Sequence, residues 1–305
     1  MKRLAVCLIL IVLIGACAYG GYICSLFFAG NRHFSKADYD KAITNYTKFI
    51  ELHPKLTLGY HKRALAYREK GEYDLAIQDY SKAIELNPRD AEAYKDRGVV
   101  YSKKEEFDPE IEDYTKAIEL DPRYVLAYYN RGTAYNRNEE YDHAIKDFNK
   151  TIELDPRNVK AYNNRGLSYL YKEQYDQAIR DFTKAIELDP GNAKAYNNRG
   201  TAYRWESEYD QAIQDFNKAI ELDPKLAMAH NNRGFAYLQK SQYDQAIQDY
   251  SKAIDLDPTL AMAYGNRGFA LEQKGEHHQA MSDLVEACGM GYKPACEELI
   301  RLGAW

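Results

Sequence analysis

The sequence repeats with a fixed period of 34 residues, and this period constrains the fold more than any other feature. The repeated prolines are Pro54, Pro88, Pro122, Pro156, Pro190, Pro224 and Pro258, and the repeated glycines are Gly98, Gly132, Gly166, Gly200, Gly234 and Gly268. A period in this range is typical of arrays in which each unit buries its apolar face against its neighbours. The 305 residues are therefore predicted to form one stacked solenoid rather than two globular domains.

Each repeat is predicted to form two helices joined by a tight turn. In residues 193–226, Tyr196, Gly200 and Tyr203 fall at helical spacing, and a second apolar set begins at Tyr209. The Asp-Pro pair at the end of the repeat stops the second helix, because the residue before proline is disfavoured in a helix. A bulkier residue in place of Gly200 is expected to overpack the helix crossing, at roughly 1–3 kcal/mol.

These residues resemble the tetratricopeptide pattern. The matching positions are Tyr196, Gly200, Tyr203, Ala212, Phe216, Ala219 and Pro224. The resemblance extends over residues 23–294 and implies an all-α, right-handed superhelical solenoid whose first helices line a concave groove. The expected repeats are 23–56, 57–90, 91–124, 125–158, 159–192, 193–226, 227–260 and a degenerate 261–294, followed by a capping helix in 295–305. Within the third repeat, Pro109 and Glu110 are expected to distort the second helix.

The N-terminal segment, residues 1–29, is predicted to direct the chain to a membrane. After Met1-Lys2-Arg3, the run Leu4–Ala29 carries no charge, and as a helix it would be roughly 39 Å long, enough to span a bilayer. Three alternatives remain: an uncleaved anchor, a secretory signal ending near Ala16–Ala18, and a lipoprotein signal with lipidation at Cys17. All three predict membrane association and repeats outside the cytoplasm, which is the periplasm in a bacterium.

Recurrent asparagines are the candidate ligand-binding residues. Asparagine is a mediocre helix former, so helix propensity does not explain a row of it. The resemblance places these positions in the groove, where a side-chain amide can donate to and accept from a peptide backbone. The alternative is a solvated asparagine copied by duplication. The predicted peptide-binding residues are Asn130, Asn163, Asn164, Asn197, Asn198, Asn231, Asn232 and Asn266, together with Tyr171 and Trp205 at the ends of first helices. Arg204 and Phe235 are further predicted groove residues.

Arginine and aspartate recur sixteen residues apart, for example at Arg199 and Asp215. The pairs predict an Arg–Asp ladder that joins the two helices of each repeat. The alternative is a row of arginines that bind an acidic ligand. The basic clamp with which chaperone-linked members of the family hold a C-terminal carboxylate is not reproduced, because asparagines occupy the positions that require basic residues.

The remaining composition excludes several functions. A net charge of −5 with no basic face argues against nucleic acid as a partner. The sequence shows no nucleophile–base pair, phosphate loop or metal-ligand cluster, so we expect no enzyme, cofactor, metal or small-molecule substrate. Cys288 and Cys296 can pair in an oxidising compartment or remain reduced.

The predicted function is a membrane-tethered, exported scaffold that binds an extended peptide or protein segment. The alternative is a structural subunit of an envelope, secretion or pilus-biogenesis assembly that docks through its convex face or its ends.

Overall fold

The computed structural model describes the backbone of residues 19–303 and the side chains from residue 24 onward. Within this range the chain forms seventeen α-helices and no β-strand, which confirms the all-α class. The first eight helices are α1 (Tyr19–Phe34), α2 (Tyr39–Leu52), α3 (Thr57–Lys70), α4 (Tyr73–Leu86), α5 (Ala91–Lys103), α6 (Phe107–Leu120), α7 (Val125–Arg137) and α8 (Tyr141–Leu154). The next nine are α9 (Val159–Tyr171), α10 (Tyr175–Leu188), α11 (Ala193–Trp205), α12 (Tyr209–Leu222), α13 (Ala227–Gln239), α14 (Tyr243–Leu256), α15 (Ala261–Lys274), α16 (His277–Gly289) and α17 (Lys293–Arg301).

The helices are grouped in two compact units. Helices α1–α8 belong to the first unit, which ends at Leu154, and α9–α17 belong to the second, which begins at Asp155. In each unit a helix packs against the next one along the chain, and the tightest packing joins the two helices of a repeat, such as α11 and α12.

Close approach of the paired helices explains the recurrent glycine. A Cβ atom on Gly200 would lie 2.8 Å from Cε1 of Phe216 and 3.2 Å from the carbonyl oxygen of Ala212. Both Phe216 and Ala212 are fully buried. The same conflict with the aromatic ring of the second helix recurs at Gly98, Gly132, Gly166 and Gly234. The sequence-based explanation of Gly200 is therefore confirmed.

The C-terminal part of the apolar N-terminal segment belongs to the first repeat. In α1, Cys24, Leu26 and Phe27 are buried, and the ring of Phe27 lies 5.4 Å from that of Phe49 in α2. Residues from Cys24 onward thus pack as the first helix of the first repeat, which overlaps the C-terminal end of the predicted membrane segment. No helix among residues 19–303 combines the length and the apolar character needed to cross a bilayer. Cys17 and the rest of residues 1–18 lie outside the described residues.

The expected distortion at Pro109 does not occur. Helix α6 contains fourteen residues, as do its counterparts α4 and α8, because proline is tolerated in a first helical turn. Glu110 is buried in place of the usual alanine, and its two carboxylate oxygens accept hydrogen bonds from Nη2 of Arg137 at 2.5 and 2.6 Å. Burial raises the pKa of Glu110, and the charge of Arg137 opposes that rise.

The C-terminal helix covers the last apolar face of the second unit. Ala295 and Leu299 of α17 are buried against Leu284 and Ala287 of α16. The helix begins at Lys293 rather than at the expected Ala295, since Pro294 suits the first turn. A disulfide bond joins Cys288 to Cys296, whose Cα atoms are 4.9 Å apart.

Candidate functional site

The second unit contains a groove of about 510 Å³. Its walls come from the first helices α9, α11, α13 and α15, and from the start of α10 and the residue before α17. The lining residues are Leu167, Leu170, Tyr171, Glu173, Tyr175, Asn197, Asn198, Thr201, Arg204, Trp205, Met228, Asn231, Asn232, Phe235, Met262, Asn266 and Tyr292. The groove therefore brings together most of the predicted peptide-binding residues. Asn163 reaches it only through a hydrogen bond to Asn198, Asn164 is not among the lining residues, and Asn130 lies in α7 of the first unit.

The asparagines of neighbouring first helices hydrogen-bond to one another. Nδ2 of Asn198 donates to Oδ1 of Asn163, and Nδ2 of Asn232 donates to Oδ1 of Asn197, both at 3.1 Å. Nδ2 of Asn266 donates to Oδ1 of Asn231 at the same distance. The sequence analysis did not include these bonds, through which part of the hydrogen-bonding capacity of the amides joins consecutive repeats. Each amide has two N–H donors and two lone pairs, so capacity for a ligand remains.

Large apolar side chains are exposed at one edge of this polar wall. Tyr171 is 63% exposed and Trp205 is 58% exposed, although both end groove-lining helices. The Trp205 ring stacks parallel to that of Tyr175, with ring centres 6.3 Å apart. Met228 is also exposed. Tyr171 and Trp205 were predicted from the sequence, whereas Tyr175 was not, because the equivalent Tyr73 and Tyr209 pack against the core.

The recurrent arginines bind aspartates of the protein itself. Nε and Nη2 of Arg199 donate to the two carboxylate oxygens of buried Asp215, both at 2.7 Å, and Nη1 donates to the hydroxyl of Thr183 in the preceding repeat at 3.1 Å. The guanidinium lies between the rings of Tyr196 and Tyr203. The hydrogen bond to Asp215 raises the pKa of Arg199. The same two-bond pairing joins Arg63–Asp79, Arg97–Asp113, Arg131–Asp147, Arg165–Asp181, Arg233–Asp249 and Arg267–Asp283. The Arg–Asp ladder predicted from the sequence is thus confirmed; its aspartates are buried and its arginines are half-buried.

Arg204 has a different environment. Its guanidinium carbon lies 5.1 Å from the ring centre of Trp205 and 4.7 Å from that of Phe235. Its Nε is buried and has no hydrogen-bond partner. Burial lowers the pKa of Arg204, whereas the ladder arginines are shifted in the opposite direction by their aspartates. The groove therefore contains a positive charge that no carboxylate among the described residues neutralises.

One end of the groove is occupied by the protein itself. Gly265 stands where the three preceding repeats carry Asn163, Asn197 and Asn231. A Cβ atom on Gly265 would lie 2.5 Å from the ring of Tyr292, so glycine makes room for this ring. Tyr292 lies between the two cysteines of the disulfide. The row of asparagine pairs therefore stops at Asn266 and is followed by an aromatic side chain.

The first unit carries charged residues at the corresponding positions. Nε2 of His61 lies 2.8 Å from Oδ2 of Asp96, with the same 35-residue separation as the asparagine pairs. Burial of Asp96 is outweighed by the hydrogen bond from His61 and the charge of Lys95, which together lower its pKa. Among the described residues, His61, Glu92 and Asp96 could converge on a metal ion, since their ligand atoms lie within 4.8 Å of one another. Lys95 and Arg68 place positive charge beside Asp96, which opposes binding of a divalent cation.

Comparison with known proteins identifies related repeats. The family profile described as "Tetratricopeptide repeat" matches residues 91–124, 125–158, 159–192, 193–226 and 227–260, and one described as "TPR repeat" matches residues 64–105. A search of curated protein sequences gave no significant match.

Several solved structures are similar. YrrB, described as a TPR protein with an unusual peptide-binding site, is 30% identical over 60% of this chain and 95% of its own, with a TM-score of 0.51. The C-terminal part of a TPR repeat-containing protein from Cytophaga hutchinsonii is 23% identical, covers 79% of this chain and 98% of its own, and has a TM-score of 0.64. A protein from Parabacteroides merdae is 20% identical over 82% of this chain and 98% of its own, with a TM-score of 0.64. The last two support the fold alone.

Proposed function

The chain belongs to the tetratricopeptide repeat family, and on that premise we propose that it is a protein–protein interaction scaffold that holds an extended segment of a partner protein. The binding site is the groove of the second unit. The description of YrrB as a peptide-binding TPR protein supports a peptide as the class of ligand.

The exposed rings of Tyr171 and Trp205 are the observation that carries this proposal. Aromatic side chains that lie exposed in a depression are typical anchors of protein–protein contacts, because a partner buries much apolar area there. Here the two rings border a wall of amides rather than a scattered polar surface. The arrangement suits a ligand with apolar side chains and an exposed backbone.

The asparagine pairs supply the contacts for that backbone. Asn198 and Asn266 each use one donor for a neighbouring asparagine, which leaves a second N–H on the same nitrogen. Nδ2 of Asn232 donates to both Asn197 and Thr201, so Asn232 offers a ligand its carbonyl oxygen. The mutual hydrogen bonds also fix the orientation of the amides before a ligand arrives, which reduces the entropy lost on binding. Backbone recognition of this kind is insensitive to most side chains of the ligand.

A peptide array tests the proposal. Randomised peptides of about twelve residues, long enough to cross the groove in extended form, are blocked at both ends and probed with the purified chain. The Tyr171→Ala/Trp205→Ala variant is expected to lose binding to the peptides that the wild type selects. Ile300→Ala, which removes a side chain of similar exposure outside the groove, is the control and retains binding. Equal binding by the double variant and the wild type would contradict the groove as the site.

We also propose that the scaffold is exported and held at a membrane by its N-terminal segment. The uncharged run before Cys24 and the bond between Cys288 and Cys296 support this, since disulfides persist in oxidising compartments. Mass spectrometry of the mature chain distinguishes the alternatives. An intact N-terminus indicates an anchor, and a diacylated Cys17 indicates a lipoprotein. A chain that begins after Ala18 without lipid would contradict tethering.

A further inference from the structure

We propose that the groove selects partner segments that carry an acidic side chain, Asp or Glu, and that Arg204 binds this carboxylate. The inference rests on the proposed function, because it specifies the chemistry of the segment that the groove holds. It assigns Arg204 a role in specificity that the asparagine pairs cannot provide.

The first observation is the missing counter-charge. Among the described residues no carboxylate pairs with Arg204, and its Nε is buried without a hydrogen-bond partner. Buried polar groups in native proteins almost always have partners, so an unpartnered guanidinium nitrogen in the wall of a groove indicates a site for an external one.

The second observation is the position of Arg204 in the repeat. The equivalent residues of the neighbouring repeats are Leu170 and Leu238, so packing of the first helix does not require a basic residue here. The second repeat also carries an arginine at this position, but Arg68 donates two hydrogen bonds to the carboxylate of Glu69. In the second unit Arg204 is the one basic residue at this position, and it lies in the wall of the groove.

The third observation is the orientation of the guanidinium. Trp205 and Phe235 each place a ring within about 5 Å of its central carbon, and such contacts hold a guanidinium through its faces. The N–H donors of a guanidinium lie at its edge, in the plane of the group. A planar fork of donors matches the two oxygens of a carboxylate better than any neutral group.

The groove favours an internal acidic side chain over a C-terminal carboxylate. Helix α11 is the second of the four groove helices, and asparagine pairs lie on both sides of it, between α9 and α11 and between α13 and α15. A chain that terminated at Arg204 would leave one of these pairs without backbone to contact. Glu173 is the other charged lining residue, so no second cation is available for a terminus.

The experiment uses the randomised array of blocked peptides and, in parallel, the same peptides with a free C-terminus. The test variant is Arg204→Leu, which introduces the residue of the two neighbouring repeats. The matched control is Arg180→Gln, which removes an exposed arginine and introduces the residue found at Gln214 and Gln248. For the wild type and for Arg180→Gln, we expect the selected blocked peptides to be enriched in Asp or Glu at one position. Replacing that acid by its amide should weaken binding about tenfold or more in the wild type and leave Arg204→Leu unaffected.

Each alternative result has a defined meaning. Binding of blocked peptides without acid enrichment would overturn the role of Arg204 and leave the proposed function intact. Enrichment that requires a free C-terminus would overturn the assignment to a side chain, in favour of a terminal carboxylate. Absence of binding in both formats would overturn the proposed function and this inference together. Retention of acid preference by Arg204→Leu would likewise contradict the inference.

Discussion

Arginines at two positions of the same helix have opposite energetic roles. Arg199 neutralises buried Asp215 through two short hydrogen bonds, while Arg204 is surrounded by aromatic rings and lacks an acid. In the sequence the two arginines look alike, because each is a basic residue near an aromatic one. Only the packed structure shows which cation is compensated.

The two arginines are expected to differ in their effect on stability. Arg199→Leu leaves the carboxylate of Asp215 buried without its partner, so we expect a loss of about 3–5 kcal/mol. Arg204→Leu removes a half-buried charge that has no carboxylate partner and should be neutral or stabilising. Urea unfolding followed by circular dichroism measures both. A larger loss for Arg204→Leu than for Arg199→Leu would contradict this account.

Asp96 predicts a pH dependence that is confined to acid. Contacts with His61 and Lys95 lower its pKa below the usual 3.8, despite burial. The folded state then binds a proton less tightly than the unfolded state, so the stabilisation is complete above 3.8 and is lost as the pH falls through the lower native value. The thermal midpoint of Asp96→Asn should therefore lie below that of the wild type at about pH 6, with a smaller difference near pH 3. Asp108→Asn, at an exposed position, is the control, and a constant difference for Asp96→Asn would contradict the prediction.

Sequence alone located most of the residues of the groove but not their partners. The asparagines follow the period and can be assigned to first helices, whereas their mutual hydrogen bonds join repeats 35 residues apart and depend on side-chain rotamers. The role of Tyr292 could have been inferred from Gly265, the residue that interrupts the row. The contact of Arg204 with Phe235 has no signature in the sequence, because it joins two repeats.

Within a helix pair, the contact between the recurrent glycine and the aromatic ring of the second helix determines how closely the two helices pack. The paired helices approach so closely that the recurrent glycine faces the ring of the second helix. The period predicted the helices and their crossing correctly, because both depend on residues within one repeat. The predicted distortion at Pro109 was wrong. The helix stays regular there, and Glu110 pairs with Arg137.

Two glycine substitutions separate close packing from chain flexibility. Gly200→Ala forces a methyl group against Phe216, so a loss of about 1–3 kcal/mol is expected. Gly191→Ala is the control, because the only neighbour that its Cβ would meet is a side-chain oxygen of Asp189 at 3.5 Å. Thermal unfolding of the two variants provides the comparison. Similar midpoints for both would show that the helices can separate without loss.

At the scale of the whole molecule, stability of a repeat array depends on its ends. Terminal repeats lack one neighbour, so local opening is expected to begin there. The disulfide between Cys288 and Cys296 fastens α17 to α16 at the C-terminal end of the second unit. Its short loop should stabilise the closed state by about 2–3 kcal/mol.

The Cys288→Ser/Cys296→Ser variant tests this role of the disulfide. Amide hydrogen exchange should become faster in α16 and α17, while α9 and α11 change little, because coupling between repeats acts mainly on the nearest neighbour. The wild type under reducing conditions should reproduce the exchange pattern of the variant. Unchanged protection of α17 in the reduced protein would show that apolar contacts of Leu299 are sufficient.

The fit of Tyr292 against Gly265 bears on how such an array can lengthen during evolution. Duplication of an internal unit adds another pair of asparagines and prolongs the row. Duplication of the last unit would place a second copy of Tyr292, and a second pair of cysteines, in the middle of the groove. Duplication of an interior copy therefore preserves the continuous row of asparagine pairs, whereas duplication of the last copy interrupts it.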